Sequence, residues 1–257
     1  MTALATGSRK LIALALTLTV LIIAWQAIVS LADLPRYILP GPLSVIQALE
    51  RFAPLLITHG LYTALEILLG FVGGVLLGIL TALLLAAFLP VRRILLPLLL
   101  ASQTIPIFAI APLLMLWLGY GLLSKVVMAM LIIYFPVAST CFDGLRHTPA
   151  AWLDMATTLG ATRRQRLFRI QLPAALPSLC SGLRMAATAA PIGAVIGEWV
   201  GSSQGLGYLM LQANGRMQTD LMFAALFMLI IIAVGLYQLV DWLSRWLVPW
   251  QQRTTTL

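Results

Sequence analysis

The sequence predicts an all-α integral membrane protein of about six transmembrane helices, with a basic helix–glycine–helix elbow on its cytoplasmic face. Three observations predict it. Only 9% of the 257 residues are charged and 61% are hydrophobic, whereas a soluble domain carries about 25% charged residues, so lipid must serve as most of the solvent. Six apolar segments, roughly 11–31, 60–88, 94–118, 122–142, 175–200 and 221–243, are long enough, or nearly so, to cross a ~30 Å core at about 20 residues each. They lack the alternation of a barrel strand, and a backbone in lipid that must close its own hydrogen bonds is then helical. Finally, the basic residues concentrate in alternate connections. With the N-terminus inside, the cytoplasmic side holds Arg9, Lys10, Arg92, Arg93, Arg146, Arg163, Arg164, Arg166, Arg169, Arg245 and Arg253, which is eleven, and the outer side holds Arg36, Arg51, Lys125 and Arg216, which is four. Eleven against four sets both termini in the cytoplasm.

The elements follow in order. The first apolar run, Leu11 to Leu31, exceeds a signal-peptide core of roughly 7–15 residues and reads as a retained transmembrane helix. The outer segment after it is broken by PGP at Pro40–Pro42, and Ser44 is positioned to cap a short surface helix over 45–52. The second spanning helix carries Gly70, Gly74 and Gly78 at four-residue spacing, with Gly73 beside them. Such a ladder favours close packing of another helix, in this subunit or a neighbouring one, over the general abundance of glycine in membranes. In the third segment, Pro106 and Pro112 each free a carbonyl and kink the helix, with Gln103 and Thr104 the polar groups beside the kink. A kinked helix lining a pathway and an ordinary membrane kink both fit.

Between the fourth and fifth segments lies DMATTLGATRRQRLFRIQLP, Asp154 to Pro173, the longest polar loop of the chain. Thr148 is positioned to cap a helix with Pro149 in its first turn. Trp152, Met155, Ala156 and Leu159 follow at helical spacing and form one apolar face. Gly160 suits a left-handed C-terminal cap, Thr162 starts a second short helix, and Pro173 marks entry into the fifth membrane helix. Contact with anionic lipid explains the arginines. It does not explain the capped apolar face, which asks for a groove on a protein. GSSQGLG at 201–207 reads as the outer turn between the fifth and sixth helices, and 251–257 as a frayed tail. Three parts result: an N-terminal helix and outer loop over 1–58, a core over 59–250 with the elbow at about 146–173, and the tail at 251–257.

Several chemistries are excluded. The net charge of +8 is spread over short inter-helix loops, the pattern of topology rather than of nucleic-acid binding. The glycine-rich GSSQGLG lacks the lysine of a phosphate-binding GxxxxGK[ST] loop. His59 and His147 fall on opposite sides of the membrane, the acidic residues Glu66, Glu198, Asp220 and Asp241 are scattered, and Cys141 and Cys180 have neither zinc nor redox spacing. No catalytic or metal site is expected, and a simple membrane anchor leaves the elbow unexplained. Arg184, about two turns into the fifth helix, reads as a snorkelling side chain. Glu198 fits a gate or substrate contact and, equally, an interfacial residue paired locally.

Asp154–Met155–Ala156, then Gly160, then Ile170–Gln171–Leu172–Pro173 resembles the EAA signature of permease subunits of bacterial ATP-binding-cassette importers. The family pattern is E-A-A, three residues, G, nine residues, then I-x-L-P. Every spacing fits, with Asp154 in place of Glu and Met155 in place of the first Ala. FDGLR at 142–146, LPAALPSLCSGLR at 172–184 and GLGYLM at 205–210 extend the likeness from about His59 to Trp250. The resemblance implies the type I importer permease fold and a non-enzymatic transport subunit in the bacterial inner membrane. It implies that the elbow is a coupling helix seated on a separate cytoplasmic ATPase dimer, which binds ATP and magnesium that this chain does not. Asp154, Ala156, Gly160, Ile170, Leu172 and Pro173 are the coupling residues it marks, with Gln103, Pro106 and Glu198 candidates for pathway or gate. A periplasmic or lipid-anchored binding protein would deliver substrate. One permease of this size offers half a pathway, so a dimer is expected, most simply a homodimer with the path on its two-fold axis. The chain is similar to the nitrate, sulfonate and taurine permease group, and 190–227 looks most like its branch for the pyrimidine precursor of thiamine. Arg184 as the one cation within the spans leans toward a neutral heteroaromatic substrate, with sulfonate, taurine or nitrate as the alternative.

Overall fold

A computed structural model of the chain describes residues 2–33 and 35–250, with side chains of the first helix described at 13 and from 16 onward. The expectation for 251–257 therefore lies outside the described residues. The elements are all helical: α1 (Thr2–Leu31), α2 (Pro42–Arg51), α3 (Ala53–Ala87), α4 (Leu89–Ser102), α5 (Ile107–Leu118), α6 (Leu122–Arg146), α7 (Ala150–Thr158), α8 (Arg163–Arg166), a π turn (Leu167–Gln171), α9 (Leu172–Gly201), α10 (Leu206–Gly215) and α11 (Thr219–Leu247). Among the described residues, four helical runs are long and apolar enough to cross a membrane: α3, α6, the continuous run Arg163–Gly201, and α11. In the first predicted span, α1 supplies the apolar stretch Leu16–Leu31, whose side chains are mostly exposed, as befits a helix facing lipid.

The third predicted span is not one kinked helix. α4 and α5 meet at 104° across a break at 103–106. Pro106 has no N–H to continue the ladder and pushes Ile105 out of the helical region. The chain instead closes a tight turn in which Gln103 N–H donates to Leu100 O and Thr104 N–H to Ala101 O. With 14 and 12 residues, the two pieces are about 21 and 18 Å long, and neither crosses the core alone. Pro97 and Pro112 lie inside α4 and α5 without breaking them.

The core is the α3–α6–α9 sandwich, and glycine sets its spacing. A methyl on Gly70 would fall on Ala129, on Gly74 it would lie 2.8 Å from the Ile133 side chain and 3.0 Å from Met130 O, and on Gly78 2.9 Å from Val137. The ladder thus packs on α6 of the same chain. A second seam, between α6 and α9, runs through Gly182 against Thr140, Gly193 against Ala129 and Gly197 against Lys125. Backbones approach closely wherever neither helix carries bulk. Gly74→Ala is expected to cost about 1–3 kcal/mol through overpacking, read as a lower thermal midpoint of the purified protein; an unchanged midpoint would show that the seam parts freely.

Two short helices close the end of the bundle away from the elbow. α2 buries Val45 and Ala48, and α10 buries Leu206, Leu209, Met210 and Ala213, both against the start of α11. The turn expected over 201–207 is present at 202–205, and α10 follows it directly. Gly205, at φ +107°, starts the helix. The caps also differ from expectation. α2 begins at Pro42 behind Gly41 with no side-chain cap, and Ser44 Oγ donates back to Gly41 O at 2.7 Å. Thr148 does the same toward Leu145 O at 3.1 Å, and Pro149 rather than Thr148 flanks α7. A short hydroxyl has such a carbonyl in reach once the preceding turn is helical, and this bond competes with capping.

Candidate functional site

The elbow is built by local chemistry. At the end of α7, Gly160 N–H donates to Thr157 O and Ala161 N–H to Ala156 O, each at 2.9 Å. This is the Schellman pairing, and it requires the left-handed conformation that Gly160 adopts at φ +78°. Two residues on, Thr162 opens α8 with a reciprocal capping box: Gln165 N–H donates to Thr162 Oγ1 at 3.3 Å and Thr162 N–H to Gln165 Oε1 at 2.8 Å. Arg166 then reaches back across the bend, donating to Thr157 Oγ1 at 2.7 Å. α7 and α8 are thereby fixed at one angle.

The second helix of the elbow is not a separate piece. α8 passes through the π turn into α9 as one run of 39 residues, Arg163–Gly201. At 1.5 Å per residue that is about 58 Å, nearly twice the apolar core, so its first turns extend beyond the hydrocarbon. The π turn wedges Leu167 into the core beside Leu145 and Ala175, and Gln171 donates to Leu145 O at 3.3 Å. A displacement of α7 therefore has a stiff route into α9.

α7 itself barely touches the bundle. Of its nine residues only Ala156 is buried. Trp152, Met155 and Leu159, just past its end, are 55%, 66% and 75% exposed. The predicted apolar face divides: Ala156 turns inward and the three large side chains turn out. Asp154 is exposed on the same helix, Ile170 and Leu172 are half-buried at the junction, and Pro173 is exposed in the first turn of α9.

The three candidate pathway residues do not form one site. Gln103 and Pro106 are exposed at the α4–α5 break. Glu198 is 1% exposed, so it lies inside the bundle rather than at the membrane surface, and it is paired locally. It accepts hydrogen bonds from Thr63 Oγ1 at 2.6 Å and from Gly207 N–H. Around it, Lys125 Nζ lies 3.3 Å from Glu66 Oε1, donates to Ser202 Oγ at 2.7 Å and stands 5.1 Å from the Tyr62 ring centre. Leu206 N–H donates to Thr63 Oγ1 at 2.8 Å and Gly205 N–H to His59 Nδ1 at 3.0 Å. A methyl on Gly205 would fall on the Glu198 carboxylate. Two of the four acidic residues are thus not scattered: Glu66 and Glu198 share one buried clasp that binds α3, α6 and α9 to the segment 202–207, while Asp220 and Asp241 lie apart from it. Nor is Arg184 a free snorkelling side chain, since its Nε donates to Asp241 Oδ1 at 2.8 Å, and Arg245 pairs with the same carboxylate.

Residues 74–253 match the family described as "Binding-protein-dependent transport system inner membrane component". The chain belongs to this family. The permease is 55% identical over 224 residues, 87% of its length and 91% of the relative's, to a probable ABC transporter permease protein of Haemophilus influenzae. It is 35% identical to the formylaminopyrimidine transport permease protein ThiX of Halalkalibacterium halodurans, over 91% of its own length and 93% of the relative's. It is 39% identical to the riboflavin transport system permease protein RibX of Chloroflexus aurantiacus, over 93% and 90%. Its fold matches that of the MetNI methionine ABC transporter in an inward-facing conformation, with a TM-score of 0.67 at 20% identity, covering 77% of the permease and 98% of that chain. The permease is therefore a multi-pass transport subunit of an ABC importer.

Sequence reasoning missed the clasp. An ionisable residue inside a span demands a partner, and Glu66, Glu198 and Lys125 each carried that demand. The pairing needed the three-helix packing to become visible.

Proposed function

We propose that this permease transmits ATP-driven motion through α7, whose exposed Trp152, Met155 and Leu159 seat in a cleft on a separate, cytoplasmic ATPase dimer. The observation that carries this reading is an outward apolar face on a short helix that is bonded rigidly to a spanning helix. Such a face, left to water, costs free energy and asks for a groove. Gly160 holds the bend, Ala156 anchors α7, and Ile170, Leu172 and Pro173 carry the junction into α9. Asp154 supplies a polar contact at the ATPase joint. ATP and magnesium belong to that partner. The elbow and both termini lie on the cytoplasmic side, in line with the eleven basic residues there. Two copies of the chain, or this chain and a similar one, enclose the pathway, and a binding protein supplies substrate from the other face. The functional unit is the core over 59–250, preceded by the N-terminal helix and loop over 1–58.

The substrate we infer is a neutral heteroaromatic compound of the hydroxymethylpyrimidine type. Two of the relatives are named for heteroaromatic compounds. The cations lying within the spans also bear on it: Lys125 is matched by Glu66 and Arg184 by Asp241, so neither offers a spare charge to an anion. Uptake of labelled hydroxymethylpyrimidine, with taurine in parallel, is expected to depend on this gene for the pyrimidine alone. Gene-dependent taurine uptake without pyrimidine uptake would overturn the substrate and favour the sulfonate reading, leaving the importer intact.

A further inference from the structure

We propose that the permease holds an anionic phospholipid in a groove between the end of α3 and the elbow. A cavity of about 500 Å³ lies there, floored by Leu80, Leu84 and Phe88 of the α3 end and Phe168 of the π turn, with Arg163 and Arg164 at its rim. That volume is in the range of small-ligand pockets. Neither arginine belongs to an ion pair among the described residues, where the pairs are Lys125–Glu66, Arg184–Asp241 and Arg245–Asp241. No acidic side chain lines the cavity.

The two layers match one amphiphile. Leu80 and Leu84 belong to the most apolar of the spanning helices and are exposed on it, so the floor continues the apolar surface that this helix presents to lipid. Arg163 and Arg164 begin the run that emerges from the bilayer, so the rim sits at headgroup depth. A phosphodiester accepts hydrogen bonds from the guanidinium groups while one acyl chain fills the leucine floor. The occupant would touch Phe168 and Gln171, and so would brace the π turn through which the elbow joins α9. The site is independent of the transported substrate.

The test uses the full chain in nanodiscs of phosphatidylcholine doped with phosphatidylglycerol, with retained lipid read by native mass spectrometry. At about five-fold per basic side chain, the pair is expected to give about 25-fold preference for the anionic lipid. Arg163→Gln with Arg164→Gln leaves the Thr162–Gln165 box in place and is expected to remove that preference. Leu84→Trp, which fills the groove from an exposed position, is expected to expel the lipid with both arginines intact. Retention unchanged by both variants would overturn the proposal. Loss with the arginine variant alone would also overturn it, since surface charge then suffices. A photoreactive side chain at Phe88 is expected to label lipid; labelling of a second copy or of a partner chain instead would assign the groove to protein.

Discussion

A Gly160→Val variant is expected to take up substrate at least about ten-fold more slowly than the wild type while staying in the membrane at normal level. The position is left-handed at φ +78°, and a side chain added there meets no atom within 4 Å. Size is therefore irrelevant and the backbone decides. An L-residue in that region costs about 1–2 kcal/mol, and a β-branched one more, while each 1.4 kcal/mol is about a factor of ten in population. Relaxing valine to negative φ breaks the paired bonds from Gly160 and Ala161 to Thr157 and Ala156 and swings α7 away from α8. The spanning helices are untouched, so insertion proceeds and ATP hydrolysis continues without uptake. Gly160→Asn is the control, because asparagine tolerates the left-handed region, and it should retain most of the transport. Gly160→Pro should match valine, since it fixes φ and deletes the N–H bonded to Thr157 O. Equal uptake by the valine and glycine proteins, at equal expression, would remove the fixed bend from the mechanism.

Lys125→Met is expected to be the most destabilising single change in the clasp. Its ammonium is 3.3 Å from a carboxylate that is fully buried, and Glu198 beside it is 1% exposed. Deleting the cation strands two acidic groups among three packed helices, and breaking such a buried pair costs about 3–5 kcal/mol. Total stability of a domain is about 5–15 kcal/mol, so the variant should accumulate poorly and melt well below the wild type. Adding Glu66→Gln in the same chain removes one stranded charge and should recover much of the loss. That recovery separates charge from packing, since the double variant restores no volume at Lys125. A single variant with wild-type melting would mean that the clasp holds nothing together.

What the sequence revealed divides along physical lines. The spans were legible because lipid enforces a crude rule, a long apolar run: α6, α9 and α11 begin and end within a few residues of the expected spans, whereas α1 and α3 start earlier, at Thr2 and Ala53, and the third span is broken at 103–106. The elbow was legible because its chemistry is local: Gly160 and Thr162 act within a few residues of themselves. Features that depend on competition between nearby bonds were less so. Ser44 and Thr148 each had a carbonyl three residues back that won over the cap. Pro106 was visible as a disturbance, but whether a proline bends or breaks a helix depends on what surrounds the freed groups. Least visible were contacts between distant residues. Glu66, Lys125 and Glu198 are joined only by the packing of α3, α6 and α9, and that packing rests partly on Gly182, Gly193 and Gly197, whose spacing is too irregular to read as a ladder.

The docking of α7 on an ATPase is tested most directly by a photoreactive amino acid at Leu159, which is 75% exposed beside Gly160. Irradiation of cells in which uptake is intact is expected to join the permease to an ATP-binding-cassette ATPase, and to do so far less when Gly160 is also valine. Crosslinks to lipid alone, in cells that still transport, would contradict the assignment of this face to the ATPase.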